Sequence, residues 1–269
     1  INPIVADIRG NTNKILEYIE HAKNEKSDVI VFPELSIIGY PPMDLLEFPN
    51  LIEANQQALV EIAKHAHDIH VIVGFVDSDS TMTKLFNSAA LLHEGKIKFI
   101  QNKTLLPTYD VFDETRYFTP AISHNIFQIN NITCGLTICE DIWNVELLDQ
   151  KKLMENKVYE IDPIVIYAQK EVDLLINISA SPFVYGKYQM KRNMLQTIAK
   201  NYNLNIVYTN QIGGNDSLIF DGNSMFINKK GALINKAKDF EEDLLFVTYD
   251  DEKTEQLADI EEPAPIKVH

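Results

Sequence analysis

The sequence predicts an α/β domain in which a mixed sheet is covered by helices, and three observations indicate this class. Longer helical segments alternate with short apolar runs rich in β-branched residues. Two pairs of these runs are separated only by His93-Glu94-Gly95 and by Asn130-Asn131, as in antiparallel hairpins. The chain of 269 residues is 45% hydrophobic, which is enough for one large core. We therefore predict one domain with both parallel and antiparallel strand pairs.

The individual elements follow from where the apolar runs begin and end. Runs of Val, Ile and Leu that stop at polar residues, Gly or Pro are assigned to strands, and longer segments between them are assigned to helices. The predicted order is a helix near 11–26, a strand ending at Glu34, a helix near 51–67, strands at 71–76, 85–92, 96–100, 126–129 and 132–138, helical turns at 163–170, a strand at 174–178, a helix at 188–202 and a strand at 205–208.

Charge and composition argue against several classes of protein. The chain has 24 basic and 39 acidic residues, so its net charge of −15 would repel nucleic acid. No apolar segment of about 18 residues is present, which argues against a membrane span, and no signal-peptide pattern opens the chain. Cys134 and Cys139 are five apart and are predicted to share one strand, where they could not pair with each other. We expect a cytoplasmic protein with reduced thiols.

Cys139 is the first candidate for chemistry. It lies in TICEDIW, directly after the predicted buried strand 132–138 and before Glu140 and Asp141. In open α/β sheets, ligands bind at the carboxyl ends of strands, and a thiol at such a junction can act as a nucleophile. The alternative is that Cys139 packs as a small hydrophobic residue, as most buried cysteines do.

Glu34 and Lys103 lie at comparable positions. Glu34 ends the apolar run VIVFPE and could be a buried general base, while Lys103 follows the strand at 96–100 and could stabilise negative charge. Each residue alone is also explained as a solvated surface charge. None of the seven histidines falls in these segments, which favours Glu34 over a histidine as the partner of the thiol. The backbone N–H of Glu140 would be a second donor to an oxyanion.

In this order, Glu34, Lys103 and Cys139 resemble the Glu-Lys-Cys triad of the nitrilase superfamily. Further segments resemble the glutaminase domain of glutamine-dependent NAD synthetases, over nearly the whole chain. These segments are GYPPMDLL (39–46), LLPTYDVFDETRYF (105–118), CEDIW (139–143), NISASPFVYGK (177–187) and NQIGGNDSLIFDGNSM (210–225). The resemblance implies a four-layer α-β-β-α sandwich with two mixed six-stranded sheets. It also implies that residues 1–3 end a first strand whose earlier part lies upstream.

The same resemblance implies a reaction and additional site residues. The domain would release ammonia from glutamine for a fused synthetase domain, which uses ATP and Mg to amidate nicotinic acid adenine dinucleotide. Glu114 would be a second glutamate beside Lys103. Tyr109, Ser181 and Lys187 would bind glutamine, and a lysine suits an α-carboxylate.

We expect no cofactor and no metal within this chain. No GxxxxGK[ST] or GxGxxG sequence occurs, and His65 and His67 would point apart on a helix, so a site with His70 is disfavoured. Residues 1–258 are assigned to the domain, and 259–269, with Pro263-Ala264-Pro265, to the start of a linker. We expect a homo-oligomer. Two alternatives remain open: a stand-alone amidase or carbamoylase for another small amide, and a non-catalytic interaction module.

Overall fold

The computed structural model describes residues 1–143 and 159–249. Within them, two β-sheets pack face to face, and each sheet is covered on its outer face by two helices, as in the predicted four-layer sandwich. The predicted linker at 259–269 and the domain boundary at 258 lie outside the described residues.

The first sheet has four strands in sequential order. β1 and β2 are parallel, and the β2–β3 and β3–β4 pairs are antiparallel. Glu94 and Gly95 both adopt positive φ in the turn between β3 and β4, as a two-residue hairpin requires. The elements are α1 (Ile8–Asn24), β1 (Val29–Val31), α2 (Pro49–His65), β2 (His70–Ser78), β3 (Leu85–His93) and β4 (Lys96–Asn102).

The second sheet has six strands in the order β12-β11-β8-β7-β6-β5. Its central strands β6, β7 and β8 are parallel, and β5, β11 and β12 add antiparallel pairs. The elements are β5 (Phe127–Ile129), β6 (Ile132–Ile138), α3 (Pro163–Gln169), β7 (Leu174–Ser179), α4 (Lys187–Tyr202), β8 (Asn205–Asn210), β11 (Met225–Ile227) and β12 (Leu233–Lys236).

The period of two in the strands divides the core into layers. Val71 and Val73 of β2 pack against α1 and α2, whereas Ile72 between them packs against the second sheet. In the same way, Leu175 of β7 faces the helices and Ile176 faces the first sheet. Apolar residues therefore fill both helix–sheet interfaces and the interface between the sheets.

The prediction of two six-stranded sheets is wrong for the first sheet. Within residues 1–143 and 159–249 that sheet has four strands, and a separate two-stranded hairpin is formed by β9 (Ile212–Asn215) and β10 (Leu218–Asp221). After β12, Asp239 forms an isolated antiparallel bridge with Gly222. Farther along, Leu244 packs against the first helix layer and Tyr249 against the layer between the sheets, without strand pairing. The pattern of hydrophobic residues alone does not distinguish a paired strand from a segment that only packs its side chains on the core.

No helix in the described part of the chain is long and apolar enough to cross a bilayer.

Candidate active site

The predicted triad comes together at the carboxyl ends of three strands. Glu34 follows β1, Lys103 follows β4 and Cys139 follows β6, and all three residues are buried. β1 and β4 are the two edges of the first sheet, but both run in the same direction, so their carboxyl ends lie at the same side. The second sheet supplies the cysteine from the facing layer.

The Glu34 carboxylate is fixed by three donors. Its Oε1 accepts hydrogen bonds from Lys103 Nζ at 2.8 Å and from Asn87 Nδ2 at 2.7 Å, and its Oε2 accepts one from the Ala180 backbone N–H at 2.8 Å. The turn that carries Glu34 packs directly on β2 at Gly74. A Cβ at Gly74 would lie 2.3 Å from Leu35 N and 2.6 Å from Pro33 O, so any other residue would displace the glutamate.

Lys103 bridges two carboxylates. Its Nζ donates to Glu34 Oε1 and to Glu114 Oε1, each at 2.8 Å, and Tyr40 donates its hydroxyl to the same Glu114 oxygen at 2.8 Å. Burial opposes the lysine charge, but Glu114 and Glu34 outweigh it and hold the pKa of Lys103 well above its ordinary value. Burial together with the Glu34 charge raises the pKa of Glu114 to about 7 against the pull of Lys103.

Cys139 is held in a strained backbone conformation. It opens a one-turn 3₁₀ segment, Cys139–Ile142, with φ of +46°, a region that non-glycine residues seldom occupy. The Asp141 carboxylate holds the turn by accepting hydrogen bonds from the backbone N–H groups of Thr104, Leu105 and Ile138 at 2.7 to 3.0 Å. Cys139 therefore lies in the turn, and the expectation that it shares a strand with Cys134 is wrong; both thiols are free.

The Cys139 thiol is held in its protonated form at rest. Burial and the Glu34 charge raise its pKa, and Lys103 partly opposes this shift. To react as a nucleophile, this thiol would need a neighbouring base. Among the described residues, Glu34 is the largest charge acting on it.

Glu140 lies beside Cys139 and its carboxylate is oriented by two tyrosines. Tyr109 donates its hydroxyl to both Glu140 oxygens, at 2.9 and 3.1 Å, and Tyr159 donates to Oε1 at 2.8 Å. The predicted binding residue Tyr109 is therefore at the site, in contact with a residue that was predicted for its backbone alone.

Lys187 lies within electrostatic reach of the cysteine, and Ser181 directly follows Ala180, whose backbone N–H holds Glu34. Lys187 begins α4, and its Nζ is 5.6 Å from the centroid of the Trp143 ring. Burial lowers the pKa of Lys187, and the negative charges of Cys139 and Glu140 act in the opposite direction, which places all three groups in one electrostatic field. Ser181 is buried, and Asn210 holds both its backbone N–H and its carbonyl oxygen.

Three supporting residues were missed by the sequence reasoning. Asn87 orients Glu34, Tyr40 orients Glu114, and Asn177 donates to the Cys139 carbonyl oxygen at 3.5 Å. Asn87 and Asn177 are polar residues inside otherwise apolar strands, which was an available signal, because a buried amide requires partners. Tyr40 carried no such signal in its apolar surroundings.

No group of three or more His, Cys, Asp and Glu side chains is placed to bind a metal ion in residues 1–143 and 159–249. The acid groups at the site are instead occupied by Lys103 and by hydroxyl and amide donors.

Comparison with known proteins places this geometry in a family. Residues 1–259 match the model of the carbon-nitrogen hydrolase family. Over 256 residues the chain is 39% identical to a glutamine-dependent NAD(+) synthetase from Synechocystis sp., covering 93% of this chain and 45% of that protein.

Solved structures of related proteins have the same fold as this chain. A glutamine-dependent NAD+ synthetase from Acinetobacter baumannii, in complex with ADP, superposes with a TM-score of 0.86 at 36% identity, covering 96% of this chain and 46% of that one. An amidase from Nesterenkonia sp. shares the fold, with a TM-score of 0.73 at 17% identity over 88% of this chain and 83% of that one. The chain thus spans about half the length of the synthetases that it matches. It belongs to the carbon-nitrogen hydrolase family of enzymes.

Proposed function

We propose that this chain hydrolyses the side-chain amide of glutamine through a thioester on Cys139. The observation that carries the proposal is the ion-paired Glu34 and Lys103 packed against a buried cysteine in a strained turn. This arrangement combines a base, a cation and a nucleophile in one desolvated place. The similarity to glutamine-dependent NAD synthetases supports glutamine as the amide.

Acylation begins with proton transfer. Glu34 takes the thiol proton as the Cys139 sulfur attacks the amide carbon, and the resulting tetrahedral oxyanion is stabilised by the Lys103 ammonium and the Glu140 backbone N–H. The C–N bond then breaks, and protonated Glu34 gives its proton to the leaving nitrogen, so that ammonia departs and a thioester remains. Each proton and electron pair is accounted for without any further group.

Hydrolysis of the thioester repeats the sequence with water. Glu34 takes a proton from the attacking water, the same donors stabilise the second oxyanion, and the C–S bond breaks to give glutamate. The sulfur leaves as a thiolate and regains its proton from Glu34. Glu114 contributes by sharing Lys103 with Glu34, which fixes the ammonium between the two carboxylates.

The charges around the thiol suit an amino acid. Lys187 and the Glu140 carboxylate carry opposite charges on two sides of the Cys139 field, which matches the α-carboxylate and the α-ammonium of glutamine. Tyr109 contributes by orienting Glu140. Ser181, which is buried and fixed by Asn210, would contribute its hydroxyl to substrate binding. A simple aliphatic amide would leave both charges unpaired, which disfavours it as the substrate.

The released ammonia would serve a synthetase domain of the same polypeptide, which would amidate nicotinic acid adenine dinucleotide with ATP and Mg. The relatives' names and their double length support this role. We expect weak glutaminase activity from this chain alone, raised roughly 5-fold to 150-fold when the loaded synthetase domain is supplied. Equal rates would favour the stand-alone amidase.

Ammonia release from glutamine tests the proposal. The parent chain should release ammonia, Cys139→Ala should release none above background, and Cys134→Ala, which changes a buried thiol outside the triad, should retain the parent rate. Hydrolysis of acetamide in preference to glutamine would instead support an aliphatic amidase. Absence of hydrolysis of any amide, with or without a synthetase domain, would support the non-catalytic module.

A further inference from the structure

Lys191 is a buried cation that the reaction described above does not use. It lies on α4 one turn after Lys187, with only 1% of its surface exposed. Its Nζ is 3.8 Å from Asp221 Oδ1 and 5.0 Å from the centroid of the Tyr208 ring, and it makes no hydrogen bond to any described residue. A buried ammonium without hydrogen bonds lowers the stability of the fold compared with an apolar side chain of similar size.

The strand register places this cation above the end of the sheet that carries the cysteine. Tyr208 pairs with Asn177, and Asn177 pairs with Thr137, two residues before Cys139. Asn177 donates to Thr137 Oγ1 at 3.0 Å and reaches the Cys139 carbonyl at 3.5 Å. Asn177 and Thr137 alternate with apolar residues of the layer between the sheets, so their polar side chains line the helix-facing surface between Tyr208 and the turn that begins at Cys139.

The Lys191 charge depends on Asp221. Burial lowers the pKa of Lys191 to about 8; the Asp221 carboxylate opposes that shift, the Lys187 charge adds to it, and a thiolate at Cys139 would oppose it as well. Lys191 is thus protonated near neutral pH because an anion is near, and its field reaches the thiol without being taken up by a hydrogen bond.

We propose that Lys191 is an electrostatic positioning residue for Cys139: its ammonium, kept charged by Asp221, favours the thiolate over the thiol. The inference rests on the proposed function of Cys139 as nucleophile. Lys103 contacts the Glu34 and Glu114 carboxylates directly, and Lys191 adds a second positive charge from α4. The charged and titratable groups around Lys191 are Asp221, Lys187 and Tyr208, and those around Cys139 are Glu34, Lys103, Glu114 and Glu140. Asp110 and Glu140 act on the neighbouring Lys187.

The rate of alkylation of Cys139 by iodoacetamide, followed by peptide mass spectrometry from pH 6 to 9, tests this inference. At pH 7 we expect Lys191→Met to slow alkylation about 3-fold to 10-fold, equivalent to a rise of roughly half to one unit in the thiol pKa. Asp221→Asn should slow it similarly, because Lys191 then loses its proton. The exposed Lys200 on the same helix provides the matched control, and Lys200→Met should leave the rate unchanged.

A double variant separates charge from packing. Arginine stays protonated without a counter-ion, so Lys191→Arg in the Asp221→Asn background should restore the parent alkylation rate. A purely structural ion pair would not be rescued in this way. Parent rates in both Lys191→Met and Asp221→Asn would overturn the inference, as would failure of the folded double variant to recover.

The experiments distinguish an error in the proposed function of Cys139 from an error in the inference about Lys191. If Cys139→Ala still hydrolysed glutamine, the nucleophile assignment would fall whatever the Lys191 variants did. If Cys139→Ala were inactive while alkylation were insensitive to Lys191, the inference about Lys191 alone would be wrong. Thermal unfolding of each variant establishes that the rates are those of folded protein.

Discussion

Lys103 and Lys191, both fully buried, differ in the charges that surround them. Lys103 is held by two carboxylates at 2.8 Å, and its pKa is raised, whereas Lys191 has one carboxylate at 3.8 Å, and its pKa is lowered to about 8. Burial penalises both ammonium groups, so the number and distance of the carboxylates decide the sign of the shift. Lys103 therefore stays protonated, whereas the protonation of Lys191 depends on Asp221 and on pH.

This difference has a chemical consequence. In the proposed reaction Lys103 stabilises an oxyanion and must stay charged throughout the cycle, and the Glu34 and Glu114 carboxylates favour its charged form. The cost is an excess of negative charge, because two buried carboxylates surround one ammonium. That excess appears in Glu114, whose pKa is raised to about 7 by burial and by Glu34, against the pull of Lys103.

The largest effect should follow from neutralising Lys103. Lys103→Met removes the only direct contact that we assign to the oxyanion from a side chain, so kcat for glutamine should fall about 100-fold to 1,000-fold. Lys191→Met should lower kcat by no more than about 10-fold, because in our proposal the Lys191 charge acts on the thiol from a distance. Steady-state ammonia release measures both. Lys98→Met on the exposed surface of β4 is the control, and comparable losses for Lys103 and Lys191 would end the distinction between them.

The second effect concerns Glu114 and stability. Its pKa in the folded state, about 7, lies above the ordinary 4.5, so the folded chain holds a proton that the unfolded chain has released. Stability is therefore full below pH 4.5 and falls as pH rises towards 7, by about 1.4 kcal/mol per pH unit for one such group.

Glu114→Gln should remove this contribution. Urea unfolding between pH 4.5 and 7 should give a slope that is shallower in the variant than in the parent. Part of the slope should remain, since burial also raises the pKa of Asp141 to about 7. Identical slopes in the parent and the variant would mean that Glu114 is already ionised at rest.

Much of this site was predictable from the sequence because its residues follow apolar strands. Glu34, Lys103 and Cys139 each come just after a β-branched run, and strand ends are where parallel sheets gather ligands. The hairpins at Glu94-Gly95 and Asn130-Asn131 were also predictable, because short polar turns between strands have few solutions.

Other features depend on long-range contacts that no local pattern encodes. The resemblance implied two six-stranded sheets, but within residues 244–249 only Leu244 and Tyr249 pack on the core, Phe246 and Val247 are exposed, and no strand pairing forms. Lys191 follows an ordinary helical pattern, and its burial results from packing on Tyr208, far away in sequence. Asn177 and Tyr40 likewise acquire their roles only when separate segments meet.

Replacing Lys187 should affect catalysis less than replacing Lys103 and more than replacing Tyr109. It is partly exposed, and burial lowers its pKa while Cys139 and Glu140 oppose the shift. Lys187→Met should raise KM for glutamine about 10-fold, through loss of one contact to the α-carboxylate. kcat should change less than KM. For 4-aminobutanamide, which lacks the carboxylate, kcat/KM should be unaffected, and an equal loss on both substrates would place Lys187 in the chemistry.

The smallest effect is expected at Tyr109. Its hydroxyl is one of two that hold the Glu140 carboxylate, and Tyr159 retains its own hydrogen bond at 2.8 Å. Tyr109→Phe should therefore raise KM for glutamine only about 3-fold. The Tyr109→Phe/Tyr159→Phe double variant should lose more than the sum of the single changes, measured as binding free energy, because Glu140 would then lack both donors.

The most direct test of the account is whether glutamine becomes bound to Cys139. The parent chain is mixed with glutamine, quenched in acid within the first turnover, digested and mapped by mass spectrometry. We expect a γ-glutamyl thioester on the peptide that contains Cys139 in the parent chain, and no such adduct in Cys139→Ala or, because acylation needs the Glu34 base, in Glu34→Gln. Turnover of glutamine without an adduct on Cys139, or with an adduct on Cys134, would contradict the account.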